Sequence, residues 1–329
     1  MNGLSTPGPT GALRVFADVT IKGSFDAAET GLVAAQGPDG AVFVAGHPAS
    51  PQIVWVVDGV RPAAIAEHVT GPVTALAADT ANLYVGVGRT VSAYSRVTGN
   101  VVRSWAANGM PGAVAQLVIT GNRLWALYAA SNAFSAGAPN GLAEIDPASS
   151  TLVRTVSDPA GVLSIAAGLS GVYYVTKQSS QLVEQTNDGR SISAPTRQQV
   201  DLELSGPSAI QAVAVVDGRV VLQHDAGQGL DAVLNTYDAT TLAGPSAAVG
   251  FSAAEQLTST PSGVFVVGNS DTNVCATSAQ TCVRRFALAG GDVGAPLALP
   301  AQTLASALTG PYPAVVVAVA SDVHVLRIS

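Results

Sequence analysis

The segment GVYYVT (171–176) is one of seven short apolar stretches that recur about every 40 to 50 residues along this sequence. The other six are AVFVAG (41–46), NLYVGV (82–87), RLWALY (123–128), RVVLQH (219–224), GVFVVG (263–268) and AVVVAV (314–319). Each stretch has the length of a strand, and strand-like segments and polar turns flank it. A fixed period with about four strands per unit and almost no helical periodicity predicts an all-β protein, a seven-bladed β-propeller of four-stranded blades.

The seventh unit is incomplete, because it has three predicted strands and no fourth. These strands are ASAL (305–308), AVVVAV (314–319) and DVHVLRI (322–328). The segment ALRVFADVTI (12–21) has a strand pattern and belongs to no other unit. An open ring would leave exposed sheet edges, which invite aggregation. We therefore predict that this N-terminal segment supplies the outer strand of the last blade and closes the ring.

Length and composition favour one propeller domain over residues 12–329, preceded by a flexible Gly-, Pro-, Ser- and Thr-rich linker at 1–11. Only 11% of the residues are charged, and the net charge of −7 argues against nucleic-acid partners and against docking on anionic membranes. No apolar run is long enough for a membrane-spanning helix, so no membrane insertion is predicted. No signal-peptide pattern follows Met1, so an extracytoplasmic chain would have lost its targeting segment. The alternative is a short natural tail on a cytoplasmic protein.

The two cysteines of the chain, Cys275 and Cys282, bracket one short segment in the sixth unit. An even pair around one loop, with no other thiol, predicts a disulfide and an oxidising compartment. We therefore predict a secreted or cell-envelope location. The alternative is two unpaired thiols. A zinc site is not favoured, because two cysteines need further ligands and no histidine lies near them in sequence.

The turn between the third and fourth strands also repeats, as in EIDPASSTLV (144–153) and TYDATTLAGP (236–245). Asp146 and Asp238 are predicted to accept backbone N–H bonds in these turns. The stretches VYYVTKQSSQLVEQTNDGRSI (172–192) and LAEIDPASSTLVRTV (142–156) resemble the YVTN repeat, which is a WD40/YVTN-like repeat related to those of quinoprotein-like propellers. The resemblance implies a seven-bladed extracytoplasmic propeller, and it does not imply a particular activity.

Residues that could carry chemistry are few, and no nucleophile elbow, phosphate-binding loop or HExxH motif is present. His47 and His224 follow or end second strands, so they share one end of the disc. Asp225 adjoins His224, and NSDTN (269–273) brings Asp271 and Asn273 to the same level. Such a set can form a metal or acid–base site, and NSDTN offers oxygen ligands for calcium. The alternative is ordinary loop residues, so we assign no catalytic residue and predict no cofactor.

Aromatic residues indicate where binding could occur. Trp125, Tyr128 and Phe134 lie in or beside the long insertion ASNAFSAGAPN (130–140), and Tyr312 lies in a turn of the last unit. Insertions on a rigid scaffold often carry recognition, so these four are candidate binding-loop residues. The alternative for Trp125 and Tyr128 is packing between blades.

The leading hypothesis for function is a non-catalytic, extracytoplasmic binding or scaffold propeller. It would present the disc face with the 130–140 insertion and the 269–282 loop to a protein or glycan partner. One alternative is a metal-dependent enzyme of lactonase or lyase type with its site at the central channel. Another is a structural subunit of an envelope or particle assembly. The oligomeric state is left open.

Overall fold

A computed structural model describes residues 13–23, 32–45, 52–59, 61–105, 110–129, 140–149, 151–157, 162–176, 181–195, 210–224, 232–244, 248–251, 254–260, 263–269, 281–286, 295–300, 303–310 and 312–329. In these ranges the chain forms 28 strands in seven sheets, each with four antiparallel strands. The structure is therefore the predicted all-β, seven-bladed propeller. None of the described residues belongs to a helix, so this part of the chain has no helix that could span a membrane.

Six of the seven sheets are continuous in sequence, and we call them blades 1 to 6. Blade 1 is β2 (Val33–Gln36), β3 (Val42–Ala45), β4 (Gln52–Asp58) and β5 (Arg61–Val69). Blade 2 is β6 (Val73–Ala78), β7 (Asn82–Val87), β8 (Thr90–Ser95) and β9 (Val101–Trp105). Blade 3 is β10 (Ala113–Thr120), β11 (Arg123–Ala129), β12 (Gly141–Asp146) and β13 (Thr151–Ser157). The first strand of each blade is the innermost and the fourth is the outermost.

The next three blades repeat this order. Blade 4 is β14 (Val162–Ala167), β15 (Gly171–Thr176), β16 (Gln181–Thr186) and β17 (Ser191–Pro195). Blade 5 is β18 (Ile210–Val216), β19 (Arg219–His224), β20 (Ala232–Asp238) and β21 (Ala248–Phe251). Blade 6 is β22 (Ala254–Thr260), β23 (Gly263–Asn269), β24 (Thr281–Phe286) and β25 (Leu297–Ala298).

Blade 7 confirms the predicted closure, because its four strands come from both ends of the chain. They are β26 (Thr303–Thr309), β27 (Ala314–Val319), β28 (Asp322–Ile328) and the N-terminal β1 (Val15–Ile21), which pairs with β28. Backbone bonds between Arg14 and Ser329 continue the pairing at one end. At the other end, Asp322 accepts hydrogen bonds from the Lys22 Nζ and the Gly23 backbone N, both at 2.9 Å. The ring is thus closed along the full height of the blade.

The hydrophobic core lies between neighbouring blades. One cluster packs Ile21 and Val316 of blade 7 against Val42 of blade 1, and another packs Tyr84 of blade 2 against Leu124 of blade 3. Each sheet is covered on both faces, which explains why the second strands read as continuous apolar runs. The innermost strands contact one another in sequence, and β26 contacts β2, so they surround a central axis.

The two ends of the disc differ in their connections. We call one end the turn face, where the first strand of a blade joins the second and the third joins the fourth. The other end is the loop face, where the second strand joins the third and where one blade leads to the next. The connections at the turn face include the short turns at 121–122 and 217–218, whereas the segments that join strands at the loop face include 130–140, 196–209 and 270–280.

Side chains satisfy the backbone of the turn face, as predicted for Asp146 and Asp238. Asp146 Oδ1 accepts a hydrogen bond from the Ala148 N at 2.9 Å. Asp238 Oδ1 accepts hydrogen bonds from the backbone N atoms of Thr240 and Thr241 at 2.9 and 2.7 Å. These bonds hold the pKa of both carboxyls below the ordinary value for aspartate. The turns are therefore fixed by their own side chains.

Polar side chains also connect neighbouring blades near the turn face. The bonds are Arg103 to the Pro147 carbonyl, Arg154 to the Thr186 carbonyl, the Tyr173 hydroxyl to the Ala239 carbonyl, Arg327 to the Gly40 carbonyl, and Arg96 to the Asp39 carboxylate. Together they join blades 2 to 3, 3 to 4, 4 to 5, 7 to 1 and 2 to 1. This end of the disc is thus held by hydrogen bonds across blades as well as by the apolar core.

Candidate functional site

The innermost strands share one irregularity at the loop face. Each of them except β2 has a β-bulge or register irregularity close to its first residue, where it enters the blade. The residues skipped in the pairing include Thr74, Ala115, Ser164, Gln211, Glu255 and Leu304. A bulge leaves its extra residue unpaired and redirects the chain. The mouth of the central channel at the loop face is therefore surrounded by irregular backbone.

Two polar side chains connect the bulged inner strands of neighbouring blades. The exposed Thr74 donates its hydroxyl proton to the Val114 carbonyl of the next inner strand. Gln116 then reaches the strand after that, accepting from the Ile165 N at 3.0 Å and donating to the Ile165 carbonyl at 2.9 Å. The bulged strands of blades 2, 3 and 4 are thus fixed relative to one another. Ala115, between the two, is exposed at the mouth of the channel.

The base of the 130–140 insertion lies at the same face, between blades 3 and 4. Asn140 Oδ1 accepts a hydrogen bond from the Val162 N at 3.1 Å, and its Nδ2 donates to the Val162 carbonyl at 3.3 Å. The Tyr128 and Ser157 hydroxyls are 3.4 Å apart. A Cβ on Gly141 would lie 2.3 Å from the Val156 carbonyl oxygen and 2.7 Å from the Tyr128 hydroxyl oxygen, so the backbone and the tyrosine both fill the space that the glycine leaves. The insertion therefore starts from an ordered platform.

Trp125 and Tyr128, two of the predicted binding-loop residues, are buried inside the disc. They pack between blades, as the alternative interpretation predicts. Trp125 donates its Nε1 proton to Asn187 Oδ1 of blade 4 at 2.9 Å, and the Arg154 guanidinium lies 5.4 Å from its ring centre. The assignment of these two rings to a binding surface is thus corrected. RLWALYA is apolar at nearly every position because both faces of β11 are covered.

Tyr312 is about half exposed and lies on the turn face, at the opposite end of the disc from the 130–140 insertion. Its backbone N donates to Gln36 Oε1 at 2.7 Å. A Cβ on Gly40 would lie 3.3 Å from its ring. Tyr312 therefore covers the first turn of blade 1 and does not belong to the channel mouth at the loop face.

The predicted metal or acid–base set is only partly described. His224 ends β19 at the loop face, where its backbone pairs with Ile210 and Val233. His47, Asp225, Asp271 and Asn273 lie outside the described residues, as do Phe134 and the linker at 1–11. Within the described part of the chain, no three His, Cys, Asp or Glu side chains are grouped closely enough to hold a metal ion. The calcium and metal hypotheses therefore stay predictions.

Cys282 is buried in the third strand of blade 6, opposite Gly268 and Ala298. No cysteine in the described ranges is a free thiol. Cys275 lies outside those ranges, so its pairing with Cys282 stays a prediction.

One charged group was not identified from the sequence. Glu144 is fully buried in β12, with its carboxylate 3.2 Å from the Arg123 Nε and 2.6 Å from the Arg154 Nε. Arg123 also reaches Asp146 at 3.4 Å. The group lies near the turn face and connects strands within blade 3, while Arg154 continues to blade 4. Its role is therefore structural.

The bulges and the arrangement of connections define a closed seven-bladed propeller with its irregular backbone at one channel mouth. No protein-family profile matches the sequence, and no curated protein does so. Membership of the YVTN family accordingly stays a prediction, while the propeller that the resemblance implied is present.

Solved structures resemble this chain in fold. The WD40 domain of Toxoplasma gondii coronin has a TM-score of 0.68 at 11% identity, with 97% of this chain and 87% of that chain covered. Virginiamycin B lyase from Staphylococcus aureus has a TM-score of 0.59 at 9% identity, with 94% and 99% covered. A chain in the structure of S. cerevisiae Dbp5 bound to Nup159, Gle1, IP6 and ADP has a TM-score of 0.59 at 10% identity, with 98% and 96% covered. At these identities the likeness concerns the fold alone.

Proposed function

We propose that this chain is a non-catalytic, extracytoplasmic binding or scaffold propeller that holds a protein or glycan partner at its loop face. The observation that carries the proposal is the ring of bulges at the channel mouth. Bulges are over-represented beside functional sites, and irregular segments on a rigid frame often carry recognition. At the turn face, Asp146 and Asp238 instead bond the backbone of their own turns.

The WD40-like neighbours support a protein partner, since one similar chain comes from a structure of Dbp5 bound to Nup159. The extracytoplasmic part of the proposal depends on a disulfide between Cys275 and Cys282, which oxidising compartments favour. Alkylation of the unfolded chain without reductant tests that bond directly. Full protection of both cysteines is expected, and alkylation of either one would contradict the bond.

A substitution at the channel mouth tests the site. Ala115→Arg adds a long side chain at an exposed bulge residue, so capture of the partner from the protein's own source should be lost while the melting temperature is unchanged. Thr80→Arg is the matched control, because Thr80 is exposed in a turn on the opposite face. Equal capture by both variants would contradict a partner site at this mouth.

The second candidate is a metal-dependent enzyme of lactonase or lyase type. Two observations favour it: the fold likeness to virginiamycin B lyase, and the position of His224 at the loop-face end of its strand. Native mass spectrometry of protein purified without chelators separates the two candidates. A bound metal that His224→Ala removes would favour the enzyme, and a co-purifying protein would favour the binding module.

A further inference from the structure

The large hydrophobic side chains that are exposed among the described residues all lie on one side of the disc. Three belong to blade 7: Val15, Phe16 and Tyr312. The others belong to the consecutive blades 2, 3 and 4, and we call them the apolar rim: Val97, Val101, Val102, Val153, Leu169 and Ile192. They lie in turns of the turn face or near the ends of outer strands that adjoin it. Single exposed apolar residues are ordinary, whereas several of them on the turns and outer strands of three adjacent, connected blades indicate an interaction surface.

Two members of the apolar rim are the extra residues of outer-strand bulges. In β9, Val101 pairs with Tyr94 and Arg103 with Ala93, so Val102 is left over. In β13, Val153 is left over in the same way. Such bulges blunt an edge strand against pairing with another strand. Contact at this surface would therefore be made by side chains.

An equivalent bulge in blade 1 shows what covers such a residue. Ile65 is the extra residue of β5, and it is buried. Gly99, in the turn of blade 2, lies so close that a Cβ on it would be 2.4 Å from the Ile65 carbonyl oxygen. A neighbouring turn thus packs on this bulge within the chain. Val102 and Val153 are instead about half exposed, at 52% and 45%.

The three blades that carry the apolar rim are locked together at this level. Arg103, next to Val102, donates to the Pro147 carbonyl of blade 3. Arg154, next to Val153, donates to the Thr186 carbonyl of blade 4. The apolar side chains are therefore presented by one connected surface, so little ordering is needed when it binds.

The charges around the apolar rim neutralise one another. Arg154 pairs with Glu144, Arg123 with Asp146, and Arg190 with Asp188. The whole chain carries −7. Two copies that met through a strongly negative surface would repel each other. Around the apolar rim, the acidic side chains are paired with arginines, so this repulsion is not expected. A foreign partner selected by charge would find no net charge here to recognise.

We propose that the apolar rim of blades 2 to 4 is the interface of a homodimer, in which two copies meet through the same surface. A two-fold contact needs a surface that is complementary to itself, and an apolar, internally neutralised surface meets that condition. The dimer would leave the loop face of each copy free, so this proposal does not depend on the partner proposed there.

Sedimentation velocity on the full chain, from about 1 to about 100 μM, tests the interface. We expect the wild type to become dimeric over this range. The double substitution Val102→Lys, Val153→Lys adds charges of the same sign to the interface surface of both copies and should weaken dimerisation by at least about tenfold. Both side chains are exposed, so an unchanged melting temperature will confirm that the variant folds.

Phe16→Lys is the matched control. Phe16 is the extra residue of the bulge in β1, it is 55% exposed, and it lies outside the apolar rim. This variant should dimerise like the wild type. A wild type that remains monomeric at about 100 μM would overturn the proposal. So would a rim variant that still dimerises, or a control that loses dimerisation to the same extent.

Discussion

The turn face and the loop face are built from the same strands and end in different ways. At the turn face, aspartates cap the turns and side chains bond the backbone of neighbouring blades. At the loop face, the inner strands bulge and the longest connections leave the sheets. A repeated scaffold can therefore use its polar groups internally at one end and finish in bulges and long connections at the other. The apolar rim belongs to the first end, where a contact would need few polar groups.

Removal of β1 should have the largest effect, because this strand runs from one face to the other. A chain without residues 1–22 loses the buried side chains of Leu13, Val19 and Ile21 and uncovers β28. Each of these side chains contributes about 1.5–3 kcal/mol when fully buried, so we expect loss of cooperative folding or aggregation. Urea denaturation, monitored by circular dichroism, measures the stability of the shortened chain. Unchanged stability would contradict closure by this strand.

Glu144→Ala tests whether the turn face depends on its buried ion group. The substitution leaves Arg123 and Arg154 without their shared carboxylate. Breaking a buried pair by removing one partner costs about 3–5 kcal/mol; both arginines are partly exposed, so we expect about 3 kcal/mol. Glu144→Gln keeps an acceptor of the same shape and should lose less. Equal free energies of unfolding for the alanine variant and the wild type would show that the group contributes nothing.

Acid should weaken the turn face through its capping aspartates. Hydrogen bonds depress the pKa of Asp146, Asp188 and Asp238 in the folded chain below the unfolded value. Their contribution is thus complete above about pH 4 and is lost as the pH falls through the folded pKa. Asp238→Asn can still accept the backbone bonds but cannot titrate, so its free energy of unfolding should fall less steeply with acid. If the free energy of unfolding of Asp238→Asn and of the wild type depends on pH in the same way, Asp238 does not contribute to the loss of stability in acid.

The repeat made much of this fold predictable, because strand patterning and closure depend on local periodicity. The bonds between blades were not predictable, since no spacing in the sequence shows that Arg154 reaches the Thr186 carbonyl. The bulges were missed for a related reason. A register shift of one residue, as at Thr74, leaves no mark in a short apolar segment. Trp125 was assigned to a surface because it precedes an insertion, although the continuous apolar run around it indicated burial on both faces.

The smallest effect on stability is expected at the loop face, from replacing residues 130–139. The two-residue turn Gly88–Arg89, which joins the corresponding strands of blade 2, is the matched replacement. The platform below the insertion keeps its own contacts, and loop length changes the closure entropy slowly, so stability should change by about 1 kcal/mol or less. Differential scanning calorimetry measures this change, and capture of the partner should be lost in the same variant.

Asn140→Ala distinguishes the platform from the insertion itself. Its side chain makes two bonds to the Val162 backbone, so its removal should cost about 1–2 kcal/mol and exceed the effect of replacing the whole insertion. A small substitution below the loop would then matter more for stability than the loop does, while the loop matters more for binding. If the shortened chain instead loses more stability than Asn140→Ala, the insertion belongs to the scaffold, and the separation between a rigid frame and a recognition surface fails at this blade.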